Sequence, residues 1–182
     1  MKLKCLLVAA ATGLLLCLSF TGCKSAGSAL QQKAERGDAA AQYELGLAYA
    51  NGKDVPRDYK EAVKWVRMAA EQGNAKAQYT MALCYAKGVG VPQDYKEAAK
   101  WVRLAAEQGD VAAQYNMGSC YARGTGVPQD YVQAYAWYNV ASAQGGKDAA
   151  AARTKIMEKM TPAQTEEGQR LSREYAEKFI KK

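Results

Sequence analysis

Small and aromatic residues recur at helical spacing through most of the chain, in short bursts broken by glycine. Between positions 74 and 87, Ala77, Tyr79, Ala82 and Tyr85 mark one face of a helix. Asn74 is a good N-cap for it, and Gly88 stands where helices commonly stop. The loop Gly88-Val-Gly-Val-Pro-Gln93 follows. Asp94-Tyr-Lys-Glu97 then opens a second helix with an acid at the N-cap and Glu three residues on, a capping-box arrangement that Asp58…Glu61 and Asp130…Gln133 share. This helix runs through Ala98, Trp101 and Ala105 to Gly109. A loop this short predicts antiparallel neighbours.

The same pattern is written three times without a gap, over Asp38–Gly73, Asn74–Gly109 and Asp110–Gly145. Pro56, Pro92 and Pro128 are 36 residues apart, as are Trp65, Trp101 and Trp137. Tyr43/Tyr79/Tyr115, Tyr49/Tyr85/Tyr121 and Tyr59/Tyr95/Tyr131 keep the same step. A fixed period in this range marks a stack of units, each burying its face on the next. The expected fold is all-α, an α/α solenoid of antiparallel helix pairs. Ala69-Ala70 and Ala105-Ala106 let helices approach closely, and the Tyr and Trp ladder is expected to fill the core between them.

Beyond the third unit, positions 147–159 and 162–180 read as two more helices, within a C-terminal segment 146–182. Thr161, Pro162 and Gln164 supply a cap, a first-turn proline and the reciprocal glutamine. Ile156, Met160, Leu171, Tyr175 and Phe179 form an apolar stripe. A partner for it is at hand. Lys96, Lys100 and Arg103 of unit two become Val132, Ala136 and Asn139 in unit three, so that helix is expected to be covered. The pair is read as a degenerate fourth unit capping the stack. Residues 23–37 are read as a tether, Lys24–Leu30, and a partial helix, Gln31–Arg36, leading into unit one.

The run from Ala77 to Gly109 carries the pieces A-x-Y, Y-x-x-G-x-G-V, D-Y-x-x-A-x-x-W and A-A-x-x-G, and closely resembles the Sel-one-like repeat, a relative of the tetratricopeptide repeat. The resemblance implies a right-handed solenoid, an adaptor or scaffold role in protein complexes and, in bacteria, envelope or signalling functions. Two departures stand out. One branch of the family joins two cysteines within each repeat, and this chain has at most one per unit. Unit one has Lys53-Asp54 where the others have Val89-Gly90 and Thr125-Gly126. Asp enters the left-handed region less readily than Gly, so that loop is either strained or differently shaped.

Positions that the units share serve the stack, and positions that differ are free of it. In the first helices the variable sets are Ala40/Lys76/Ala112, Glu44/Thr80/Asn116, Leu47/Leu83/Ser119 and Asn51/Lys87/Arg123. Steps of four, three and four residues put them on one helix face. In related solenoids first helices line the concave surface. The expected partner-binding groove therefore bears Lys76, Thr80, Lys87, Asn116, Ser119 and Arg123, basic enough for an acidic or extended segment, or for a helix laid in it. The competing reading is a face that is merely solvated.

The N-terminus carries an address. Met1-Lys-Leu-Lys4 is basic and Leu6–Leu18 apolar, the pattern of a secretory signal over residues 1–22. Thr21-Gly22-Cys23 resembles the bacterial lipoprotein processing site, with Phe20 where Leu is usual, and makes Cys23 the expected lipidation site. Lys24, by resemblance to sorting rules, favours an outer membrane facing the periplasm. An uncleaved anchor at the short end of the spanning range, or cleavage after Ala29 releasing a secreted protein, are the alternatives. Each exports the repeats to the cell envelope or beyond.

Loss of the signal removes Lys2 and Lys4 and leaves 23 basic against 18 acidic residues, a formal +5. No run of like charge points to nucleic acid. Cys84 and Cys120 occupy equivalent positions, where unit one has Ala48. Packed helices lie roughly 8–10 Å apart, too far for the Cα separation of a disulfide, so both read as small core residues and no metal is expected. The chain has no histidine, the commonest general base. The mature part has no Ser-x-x-Lys, and Gly88-Val-Gly90 and Gly124-Thr-Gly126 lead into proline and aspartate, unlike a phosphate loop. A non-catalytic adaptor with a protein partner and no cofactor is the expected function. A lipoprotein binding peptidoglycan or another envelope polymer is the alternative, and a weak hydrolase or β-lactam-binding protein a remoter one.

Overall fold

A computed structural model describes residues 26–180. The signal segment and Cys23 lie outside the described residues. Those described contain nine helices and no strand: α1 (Ala26–Glu35), α2 (Ala39–Asn51), α3 (Tyr59–Glu71), α4 (Ala75–Lys87), α5 (Tyr95–Glu107), α6 (Val111–Arg123), α7 (Tyr131–Ala143), α8 (Lys147–Met157) and α9 (Pro162–Phe179). The pairs α2/α3, α4/α5 and α6/α7 are the three units, and each second helix packs on the first helix of the next.

The helix ends follow their residues. Asp38, Asn74 and Asp110 accept the amides of Ala41, Ala77 and Ala113 at 2.8, 3.0 and 2.8 Å. Such caps are each worth about 1 kcal/mol. Gly52, Gly88 and Gly124 end the first helices in the left-handed conformation. The second-helix caps differ from expectation. The side chains of Asp58, Asp94 and Asp130 accept first-turn amides, but the reciprocal half of the box is not made. Their own amides are already taken by the carbonyls of Tyr49, Tyr85 and Tyr121 at 3.0 Å. Glu61 and Glu97 pair instead with Lys64 and Lys100. The complete box is at Thr161 and Gln164.

Units are joined by buried side-chain clips. Gln42, Gln78 and Gln114 are almost fully buried. Each donates 3.1 Å bonds to a carbonyl near the end of the preceding helix, Ala34, Ala70 and Ala106. Each also accepts from the glutamine closing its own unit, Gln72, Gln108 and Gln144, at 2.6, 2.7 and 2.6 Å. Arg67 and Arg103 add a second link, donating to the phenols of Tyr85 and Tyr121 at 2.7 Å from the unit before.

The two ends of the stack are built differently. At the front, α1 begins at Ala26, earlier than the partial helix expected from Gln31, and stands where a preceding second helix would. Its Ala34 is fully buried and takes the place of Ala70 and Ala106. At the back, α8 packs on α7 like a fourth first helix, but Gly146 gives it no side-chain cap. The last helix, α9, lies across α7 and reaches α5. Trp137, 1% exposed, meets the rings of Tyr175 and Phe179 at 4.6 and 5.6 Å. Gly168 lets α9 come down on the Tyr135 ring, where a Cβ would sit 2.7 Å away.

The aromatic ladder is not uniformly core. Tyr59 and Tyr95 are 44% and 47% exposed, because the first residue of each second helix faces the loop. The loop glycines are structural. Gly90 and Gly126 have φ of 71° and 74°, and a Cβ would collide with the carbonyls of Tyr59 and Tyr95 on the preceding unit. Asp54 holds the same conformation at φ 62°, so the first loop is strained rather than differently shaped. Gly126→Ala should therefore destabilise the protein by at least about 2 kcal/mol, from backbone strain plus collision. Asp54→Gly should change stability by no more than about 1 kcal/mol in either direction. Urea unfolding of the two variants checks the asymmetry, and equal losses would contradict it.

Candidate binding groove

The face expected to bind runs along the first helices. At its middle, neighbouring first helices are tied across the gap: Thr80 donates to the Tyr43 phenol at 3.4 Å, and Asn116 to the Tyr79 phenol at 2.7 Å. Beside these ties the gap opens. A cavity of about 190 Å³ lies between α4, α5 and α6. Leu83, Ala86 and Val102 line it, and Tyr95 stands at its edge with nearly half its surface free. Asn116, Ser119 and Arg123 supply its polar groups, so three of the six expected residues converge.

The other three are placed differently. Thr80 lines a smaller cavity of about 80 Å³ between units one and two, with Leu47, Tyr59 and Cys84. This is the same site one repeat earlier. Lys76 and Lys87 are exposed and line neither cavity. Ser119 is a buried residue rather than a solvated one, at 8% exposure. The reason is a coordinated change in unit three. Tyr138 stands where the other units have Val66 and Val102, and Gly118 makes room for its ring, which lies 2.7 Å from where a Cβ would be. Ser119 lies near the Tyr138 hydroxyl, and Arg123 donates to the Ser119 Oγ at 2.6 Å. With leucine replaced by serine, the cavity between units two and three is wider than its predecessor.

The charge of the larger cavity is one-sided. Its only ionisable side chain that is charged at neutral pH is Arg123, held in place by Ser119. Burial pushes the Cys120 thiol up, and Arg123 works against that rise. Cys84, at the smaller cavity, is likewise raised by burial with Lys87 opposing. Both thiols are free. Among the described residues no group of three or more His, Cys, Asp or Glu side chains is placed to hold a metal ion, and no helix is long and apolar enough to cross a membrane. The sequence reading missed Tyr95 and Cys120 as lining residues. Both repeat between units, and repetition alone counts them as packing.

Three consecutive matches to the Sel1 repeat fall at residues 39–74, 75–110 and 111–146. Among solved structures, the chain is similar to a protective antigen of uropathogenic Escherichia coli displaying an SLR fold, at 39% identity and TM-score 0.77, over 85% of this chain and 33% of that one. The chain thus spans about a third of that protein's length. It is also similar to a Sel1 repeat protein from Oxalobacter formigenes, at 39% identity and TM-score 0.67, over 70% of this chain and 96% of that one. Helicobacter pylori cysteine rich protein B shares the fold at 18% identity and TM-score 0.54, over 71% of this chain and 98% of that one. No curated protein matches the chain.

Because burial raises both thiols, alkylation by iodoacetamide should be slower than for a free cysteine at pH 7.5 and should still be climbing above pH 9. A rate that levels off below pH 8 would contradict the placement of the two cysteines.

Proposed function

The chain belongs to the Sel1 repeat family, and we propose that it is a non-catalytic adaptor whose first-helix groove captures a segment of a partner protein. Sel1 repeat proteins generally mediate contacts between proteins. The observation that carries the reading is the cavity between units two and three, where apolar walls, the half-exposed Tyr95 and an anchored Arg123 face one opening. An apolar pocket with a few convergent polar groups is the usual form of a binding site. Binding rather than catalysis fits the groups present. Ser119 is engaged by Arg123, and the chain has no histidine to activate it.

The place of action in this reading is the bacterial cell envelope. The basic start, the apolar run Leu6–Leu18 and Cys23 support export and lipid attachment, with α1 of the stack beginning at Ala26, three residues after Cys23. One or more acyl chains would hold the protein at a surface through buried methylenes, with no spanning helix.

Two experiments test these statements separately. For the groove, the protein is crosslinked in intact cells and its captured partner identified, then binding is measured for the double variant Lys87→Glu/Arg123→Glu. Capture should weaken by at least about tenfold, and unchanged capture would remove the groove from the account. For the anchor, cells are grown with radiolabelled palmitate. The wild-type chain should take up label and partition into detergent, and Cys23→Ala should not. Label on both forms, or on neither, would refute lipidation at Cys23.

A further inference from the structure

The direction of α1 decides which edge of the stack lies beside Cys23. Gln42 of α2 donates to the Ala34 carbonyl of α1, and the short turn through Gly37 makes the two helices antiparallel. Eight residues back from Ala34 is Ala26, and eight residues on from Gln42 is Ala50, so α1 begins level with the end of α2. Leu30 accordingly packs in one cluster with Leu45 and Tyr49. The end of α2 leads into the first loop. Loops of successive units stack on the unit before, where Gly90 meets the Tyr59 carbonyl and Gly126 the Tyr95 carbonyl. One edge of the solenoid is therefore made of loops and second-helix starts, and the chain enters at it. Three peptide steps separate Cys23 from Ala26, a reach of at most about 11 Å. The opposite edge is a helix length further away, about 20 Å.

The two edges differ in chemistry. On the loop edge of units one and two, Lys53, Arg57, Lys60, Lys87 and Lys96 are all exposed. The acids among them are Asp54, Asp58 and Asp94, and the last two are engaged by first-turn amides at 2.8 Å. Glu61 and Glu97, further into the helices, pair with Lys64 and Lys100. Tyr59 and Tyr95 stand out from the same edge, each with nearly half its surface free. The Arg57 guanidinium lies 5.8 Å from the Tyr59 ring centre, and Gln93 donates to the Tyr95 hydroxyl at 3.0 Å. At the opposite edge Glu35, Glu71 and Glu107 close successive helices. Tyrosine rings settle at a headgroup layer, and basic side chains are drawn to anionic lipid.

We infer that the loop edge of units one and two, bearing Lys53, Arg57, Tyr59, Lys60, Tyr95 and Lys96, lies against the anionic phospholipid headgroups of the membrane that holds Cys23, with the helices standing upright on it. This rests on the lipid attachment proposed above and adds the orientation of the stack.

The test uses the lipidated protein, purified from membranes and inserted into vesicles of phosphatidylethanolamine and phosphatidylglycerol in equal parts. Lysines are acetylated with a succinimidyl ester, and the rate at each is read by mass spectrometry. Lys53, Lys60 and Lys96 should react at least about fivefold more slowly on these vesicles than in detergent, the effect of holding an ammonium at a charged surface. Lys76 and Lys147, at the opposite edge, should react alike in both. Raising salt to about 1 M, where the screening length is about 3 Å, should restore the detergent rate. Equal protection of both edges overturns the orientation. Protection that is the same on phosphatidylcholine vesicles, or that persists in high salt, overturns the anionic lipid contact and points to neighbouring copies of the chain. If Cys23 takes up palmitate and the three lysines still react as in detergent, the placement fails and the anchor stands. If Cys23 takes up none, the anchor fails and the placement goes with it.

Discussion

A buried glutamine in each first helix sets the geometry of the stack. Gln42, Gln78 and Gln114 each spend the amide on a carbonyl of the helix before and the oxygen on the glutamine that closes the same unit. Helix C-termini leave carbonyls outside the helical ladder, and a buried one without a partner costs about 1–3 kcal/mol. The carbonyls of Ala34, Ala70 and Ala106 already accept the amides of Gly37, Gly73 and Gly109 at 3.0 Å, so the clip supplies a second donor and ties each unit to its predecessor. One repeat further on, the position is Ala150, and regular stacking ends there. The next helix lacks a side-chain cap, and α9 lies back over α7.

With the clips holding the second helices against the next unit, the first helices are left joined across their faces by the Tyr43–Thr80 and Tyr79–Asn116 bonds. The remaining space is what a ligand can use. Unit three enlarges it through tyrosine for valine at 138 and serine for leucine at 119, with Gly118 standing where unit one has Gly46 and unit two Ala82. The tyrosine ring needs the glycine, and its hydroxyl lies near the serine. Similar reasoning explains Asn139. Its helix no longer faces a tyrosine of a following unit, and it bonds Ser172 of α9 and Arg153 of α8 instead of making the arginine link of Arg67 and Arg103. The capping of the stack and the opening of the cavity are thus produced on the same unit.

Much of this could be read from residues alone. The Asp and Asn caps, the left-handed Gly52, Gly88 and Gly124, and the covering of α7 all follow from local chemistry and from the loss of Lys96, Lys100 and Arg103 in the third unit. What could not be read depends on direction. A residue shared by every unit faces either a neighbour or the solvent, and periodicity is the same in both cases. So Tyr59 and Tyr95 were expected inside and stand outside, while Gln78, polar by type, is a core residue. Ser119 varies between units, which marks it as free, yet it is buried and accepts from Arg123. The aspartates at the second-helix caps were expected to complete a box, but the chain folds their amides onto the preceding tyrosine carbonyls first.

Gln108 holds the Gln78 side chain, within one unit, in the orientation that reaches Ala70 of the unit before, so the two glutamines must be coupled energetically if the clip joins units. A double-mutant cycle on Gln78→Ala and Gln108→Ala, followed by urea unfolding, measures that coupling directly. The clip predicts a coupling energy of at least about 0.5–1 kcal/mol, with a linked loss of cooperativity in neither single variant. Strictly additive losses would show that Gln108 does not orient the clip, and a Gln78→Ala loss of only a few tenths of a kcal/mol would show that the units are held together without it, by packing and the arginine–tyrosine links.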